Sequence, residues 1–223
     1  MTGMRSVRVP PGRAGILHLR RRLAVAEAGA DLLARKLTVL SVEADRLTAL
    51  TATTAGQWHA AARDAQRRLD LAAQLAGDRG IRLATRPPQA RADVTYTAVM
   101  GLEHPAEVTC DLPGRPPDGP VPAGPALAVA DRAVREAVPT AARHAAAARA
   151  AAIVNHEADL TRRRLRALEH SRIPALRDAL ARAVAQVDEM EAADAVQRRW
   201  ASAAVRITGP GCGGPSAEPT RPG

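Results

Sequence analysis

The chain has 223 residues, 46% of them apolar, yet phenylalanine is absent and Trp58, Tyr96 and Trp200 are its only aromatics. With 51 alanines in that apolar share, a thick core of aromatic side chains is excluded and close approach of long helices is favoured. The net charge is +9, but Arg, Ala, Gly and Pro are abundant together, as in GC-rich coding sequence, so the basic excess is weak support for nucleic acid.

Pro10, Pro11 and Gly12 stop any structure before them, and no proline follows until Pro87. Alternating steps of four and three from Leu19 land on Leu23, Ala26, Ala30, Leu33, Leu37, Leu40, Ala44 and Leu47. A Leu/Ala seam sustained over heptads predicts a coiled coil. It weakens through Thr51, Thr54, Trp58, Ala61 and Ala65, and Gly77 marks the expected helix end. The one lysine, Lys36, lies between Arg35 and Leu37, with Leu33 three positions before it. That excludes a Gly-Lys-Ser/Thr phosphate loop and a Ser-x-x-Lys nucleophile.

Nine of the 17 prolines fall between Pro87 and Pro125. Within this stretch Ala92–Met100 is β-branched and roughly alternating, Gly101 interrupts it, and Glu107–Leu112 offers a second extended run. Two strands in a small hairpin are predicted, followed by a semi-rigid proline-rich loop. Helical pattern returns from Ala126 to about Val205. Ala141–Ala152 is nearly all alanine, and a second seam runs through Leu160, Leu165, Leu168, Ile173, Leu176, Leu180, Ala183, Val187 and Met190. Pro174 should bend this helix. The predicted fold is mostly α: a long antiparallel two-helix coiled coil of N- and C-terminal helices with a small central β-hairpin and proline-rich insert. Its divisions are an N-terminal extension 1–12, a helix 13–77, an insert 78–125, a helix 126–206 and a disordered tail 207–223.

Chemistry-bearing motifs are few. Gly209-Pro210-Gly211-Cys212-Gly213-Gly214 has G-x-G-x-x-G spacing without the strand and helix that a phosphate cradle needs. Cys110 and Cys212 have no neighbouring cysteine, which points to unpaired thiols in a reducing compartment. The histidines include no i, i+4 pair, so they are expected on solvated helix surfaces. Arg162, Arg163 and Arg164, like Arg20, Arg21 and Arg22, splay around a helix rather than facing one phosphate backbone. Asp188, Glu189 and Glu191 are expected to pair with Arg182 and Arg198. No run approaches the ~18 apolar residues of a membrane span, and no signal peptide is visible. A soluble, cytosol-exposed protein is expected.

The segment Arg162–Glu191, RRRLRALEHSRIPALRDALARAVAQVDEME, resembles the signature of the D subunit of the V/A-type rotary ATPases. The matching positions are Arg162, Arg163, Arg164, Ala167, Leu168, Glu169, Ile173, Pro174, Leu176, Asp188, Glu189 and Glu191. Pro11-Gly12-Arg13 with Leu17, Leu19, Arg22 and Leu23 is similar to that family's opening, and Val99-Met100-Gly101 with Pro105 to its central hairpin. The chain departs from the family at Arg166, where an asparagine is usual, and along Ala192–Trp200, where a charged run is usual.

The resemblance implies a central rotor shaft with no catalytic site, cofactor or small-molecule substrate of its own. It implies a cytoplasmic place, peripheral to the cell membrane. The implied partners are the catalytic and regulatory hexamer, a small central-stalk subunit and the adaptor on the membrane ring. Arg13, Arg20, Arg22, Glu189, Arg198 and Arg199 are then the expected contacts with the catalytic head. The competing expectation is a free-standing basic coiled-coil scaffold or a nucleoid-associated DNA-binding protein, although three aromatics leave no base-stacking platform.

Overall fold

The computed structural model describes residues 12–84, 90–114 and 124–207. In chain order these form α1 (Arg13–Ala84), β1 (Arg91–Val99), β2 (Leu102–Asp111), α2 (Pro125–Ala167), a π-helical turn (Leu168–Arg172) and α3 (Ile173–Ile207). The architecture is mostly helical, with one two-stranded antiparallel sheet between the long helices. The N-terminal extension as far as Pro11, the prolines at 116–122 and the tail with its glycine motif and Cys212 lie outside the described residues.

Helix α1 does not end at Gly77. The backbone there takes φ 64°, ψ 171°, a conformation that glycine alone adopts without a steric cost, and helix resumes through Ala84. Pro125 opens α2 at the first helical position, where its missing N–H is not needed. Pro139 passes inside α2 without a break, whereas the five-residue π turn lies directly before Ile173 and Pro174. Proline lacks an N–H and crowds the carbonyl four residues back, here His170. A turn widened by one residue relieves that crowding where a simple bend was expected.

The described residues divide into two compact units, 28–168 and the segments flanking it, with one boundary at Leu168/Glu169 in the π turn. In the first unit α1 and α2 pack antiparallel. Leu40, Ala44 and Leu47 of α1 meet Ala150, Ala151, Val154 and Ala158 of α2, and farther along Ala72 meets Leu127 and Ala130. Large side chains on one helix face small ones on the other, so the backbones come close while the space stays filled. Where the α1 seam turns to Thr54 and Trp58, the facing stretch of α2 is alanine plus His144. The Trp58 ring stacks on His144 at 5.6 Å and 9°, filling volume that alanine leaves open. Thr48, Thr51, Thr53 and Thr54 each donate their hydroxyl to the carbonyl four residues back, which is how a β-branched run stays helical.

In the second unit α1 and α3 also run antiparallel. Arg13 pairs with Glu191 and Glu27 with Arg177, a step of 14 residues in opposite senses on the two helices. Leu19, Ile173 and Leu176 are buried there.

Thr161 is 0% exposed and its Oγ1 finds no hydrogen-bond partner among the described residues. An unsatisfied buried hydroxyl destabilises, and an apolar isostere removes the defect. Thr161→Val should raise the urea midpoint with an unchanged slope, by about 1 kcal/mol. A lower midpoint would mean that the hydroxyl has a partner.

Candidate functional site

The hairpin is fixed to the helices through β2. Met100 and Gly101 form its two-residue turn with φ of 50° and 78°, the positive values that match the twist of the flanking strands. Pairing then runs from Val99↔Leu102 to Arg91↔Asp111, with Ala106 as an extra residue at a bulge opposite Thr95/Tyr96. His104, 1% exposed, shares a hydrogen bond with the Pro105 carbonyl at 3.0 Å through Nδ1. Its Nε2 lies 3.7 Å from Glu43 Oε1 on α1. Arg46 donates to both Glu43 oxygens, at 2.9 and 2.6 Å. The Glu43 carboxyl is held below its ordinary pKa, first by that Arg46 hydrogen bond, against the opposing effect of burial. A cleft of about 490 Å³ lies between β2 and the helices, with Arg46, Thr54, Glu107 and Arg143 on its walls.

Farther along α1, Lys36 Nζ meets Glu157 Oε1 of α2 at 2.7 Å, with both side chains largely covered. Arg164 stands 4.0 Å from the same oxygen and Arg162 pairs with Asp159. Arg163 is exposed. The basic run thus sits one turn before the π turn that holds Leu168 and Glu169, and Pro174 follows it on α3.

The residues singled out from the sequence are placed as follows. Leu19, Leu40, Leu47, Ile173 and Leu176 are buried, and Leu23, Leu33, Leu37, Leu165, Leu168, Leu180 and Val187 are half-buried. Met190 is 57% exposed. Arg13, Arg20, Glu189, Arg198 and Arg199 are exposed and Arg22 half-buried, all within the unit formed by the start of α1 and α3. Glu191 pairs with Arg13 of the other helix, not with Arg182 or Arg198 of its own, and Arg198 bonds the Asp194 carbonyl. Two histidines depart from the expected solvated helix surface. His104 is a buried strand residue and His144 is covered by Trp58.

A family profile described as the ATP synthase D subunit matches residues 16–203. That span takes in the helix pair, the hairpin and the π turn. The chain belongs to the ATP synthase D-subunit family. A V-type ATP synthase D subunit of Anaeromyxobacter dehalogenans (strain 2CP-C) is 35% identical over 194 residues, covering 84% of this chain and 92% of the relative. The counterpart from Anaeromyxobacter sp. (strain K) is 34% identical over the same shares of both chains. The free-standing scaffold or DNA-binding expectation gains nothing from these likenesses. In the densest of the arginine runs that motivated it, Arg162 pairs with Asp159 and Arg164 stands 4.0 Å from Glu157.

The Glu157 carboxyl lies below its ordinary value, chiefly through the Lys36 hydrogen bond, with burial acting against it and Arg164 and His156 adding to it. A depressed folded-state pKa contributes stability that is present above the unfolded value and is lost as pH falls through the folded one. Lys36→Met should therefore cost on the order of 1 kcal/mol at pH 7. The deficit should close as the pH falls below the carboxylate range, read by urea unfolding at pH 7 and pH 3. An equal deficit at both pH values would show that Lys36 contributes through packing alone.

Proposed function

We propose that the chain is the central-stalk subunit of a V/A-type rotary ATPase or ATP synthase, passing torque between the catalytic head and the ion-translocating ring in the membrane. The observation that carries this reading is the family match across residues 16–203. The physics of the helix pairs supports it. Two antiparallel helices seated on Leu-against-Ala contacts are narrow and resist being pulled past one another, because sliding by one residue would drive Leu40 and Leu47 onto backbone instead of into the spaces beside Ala150 and Val154. Ion pairs between helices, Lys36–Glu157 in one unit and Arg13–Glu191 and Glu27–Arg177 in the other, add polar markers of register. Such a shaft acts on its partners by offering each a different surface at each angle, which shifts the balance among their conformations. Nucleotide chemistry belongs to those partners. Among the described residues no helix is long and apolar enough to cross a membrane; the place that goes with the central-stalk reading is peripheral, on the cytoplasmic side of the cell membrane.

The partners are the catalytic and regulatory hexamer, a small central-stalk subunit and the membrane-ring adaptor. The head contact falls to charges at the start of α1 and along α3: the exposed Arg13, Arg20, Glu189, Arg198 and Arg199 and the half-buried Arg22. The uncommon Ala192–Trp200 stretch, with Trp200 77% exposed, gives this contact a more apolar character than a continuous charged run.

The complex isolated through a tag on a catalytic-head subunit should contain this chain. Arg198→Glu combined with Arg199→Glu should weaken its retention at least tenfold without altering the thermal unfolding of the free chain, because exposed surface charges contribute little to folding. Retention unchanged by both reversals would remove these residues from the contact. Absence of the chain from an otherwise intact, ion-pumping complex would overturn the functional reading.

A further inference from the structure

His104 is a buried titratable group for which passing torque has no use. It stands on β2 two positions past Leu102, so the two side chains share one face of the strand. Val99 and Leu102 pack on the core that holds Leu40, Leu47 and Val154, and His104, 1% exposed, lies beside Glu43 of α1. The imidazole is thus part of the seat on which the hairpin rests.

Both ring nitrogens face oxygens that can only accept. Nδ1 lies 3.0 Å from the Pro105 carbonyl, so Nδ1 carries a hydrogen. Nε2 lies 3.7 Å from Glu43 Oε1, within ion-pair reach. Arg46 donates to both Glu43 oxygens and holds that carboxyl below its ordinary pKa, so it is ionised at every pH above the usual carboxylate range. A neutral imidazole has a single N–H. With that hydrogen on Nδ1, the Nε2 lone pair is left against a carboxylate. Only the imidazolium offers a hydrogen to each oxygen. The other groups around the ring are few. Thr97 is its cross-strand partner, and α2 brings the uncharged Ala150, Ala151 and Val154 to the same core. Arg143 and Glu107 border the adjoining cleft, and Glu103 beside it on β2 is exposed. Burial and Arg46 oppose a charge on the ring; the two acceptors favour it, and a buried charge persists where it is paired and hydrogen-bonded.

We propose that His104 is a proton-operated latch: as an imidazolium it bridges the Pro105 carbonyl and the Glu43 carboxylate and holds the hairpin on α1, and on losing its proton it lets the hairpin lift. The docked hairpin then binds more protons than the lifted one. Docking is tight at pH 6 and weakens as the pH rises through the range in which imidazole titrates. The latch is built from contacts within the chain and is independent of the central-stalk reading.

Amide hydrogen exchange and ring nitrogen NMR of the full-length chain test it. A two-stranded hairpin alone is marginal in water, so the protection of its ladder amides, taken relative to unstructured chain at the same pH, reports docking. Protection in β1 and β2 should be greater at pH 6 than at pH 8 by about threefold or more, with the amides of the α1–α2 core unchanged. Long-range proton–nitrogen correlation should find both His104 nitrogens protonated at pH 6. His104→Gln, which cannot titrate, should give equal hairpin protection at the two pH values; the measurements on the unaltered chain decide the matter by themselves if this variant fails to fold. A ring with one protonated nitrogen at pH 6, equal hairpin protection at pH 6 and pH 8 in the unaltered chain, or a pH dependence that survives in His104→Gln overturns the latch.

Discussion

The paired α1 and α2 on which the rest of the structure is built depend on seating leucine against alanine across antiparallel helices. With no phenylalanine and only three other aromatic side chains, neither unit can draw on a deep aromatic core. Leu40 and Leu47 in one unit, and Leu19 and Leu176 in the other, are each at most 2% exposed. Full burial of such a side chain contributes roughly 1.5–3 kcal/mol, so a handful of them accounts for much of the margin. For Leu40 and Leu47, alanine on the facing helix is what lets them in. The exposed ion pairs add little free energy and more naturally mark which turn faces which.

That economy shapes how a central stalk can work. A seam of small residues keeps a helix pair slender, and its stiffness comes from interlocking rather than bulk. Other devices appear where the seam lapses and beside it. At Thr54 and Trp58 an aromatic stack on His144 fills the gap left by alanine. At Glu43 the carboxylate joins Arg46 and His104, tying the hairpin to α1 beside the Leu40–Leu47 contacts. Before Pro174 the helix widens into a π turn, where one of the boundaries between the compact units also falls.

Much of this was legible in the residues. The heptad steps from Leu19 to Leu47 mark positions that are all buried or half-buried, because a regular helix turns a sequence period directly into a face. The first strand showed in its β-branched alternation. The second was seen only from Glu107, since Pro105 disguised its beginning at Leu102. A two-residue turn at Met100-Gly101 requires pairing to resume at once, and that was the signal available. The burial of His104 was not legible, because it depends on which face of the strand meets Glu43. Nor was the partner of Glu191, since sequence spacing reveals neighbours on one helix and not across two. Family resemblance carried the function; composition and period alone stop at a helix pair.

Rotation is the quantity that tests the account most directly. With the catalytic head immobilised and a bead attached to this chain through a cysteine introduced on the exposed surface of the hairpin, ATP should drive the bead in one direction, stopping when hydrolysis stops. A bead that stays still while the same heads hydrolyse ATP, with the chain shown to be bound, would contradict the claim that this helix pair is the turning element.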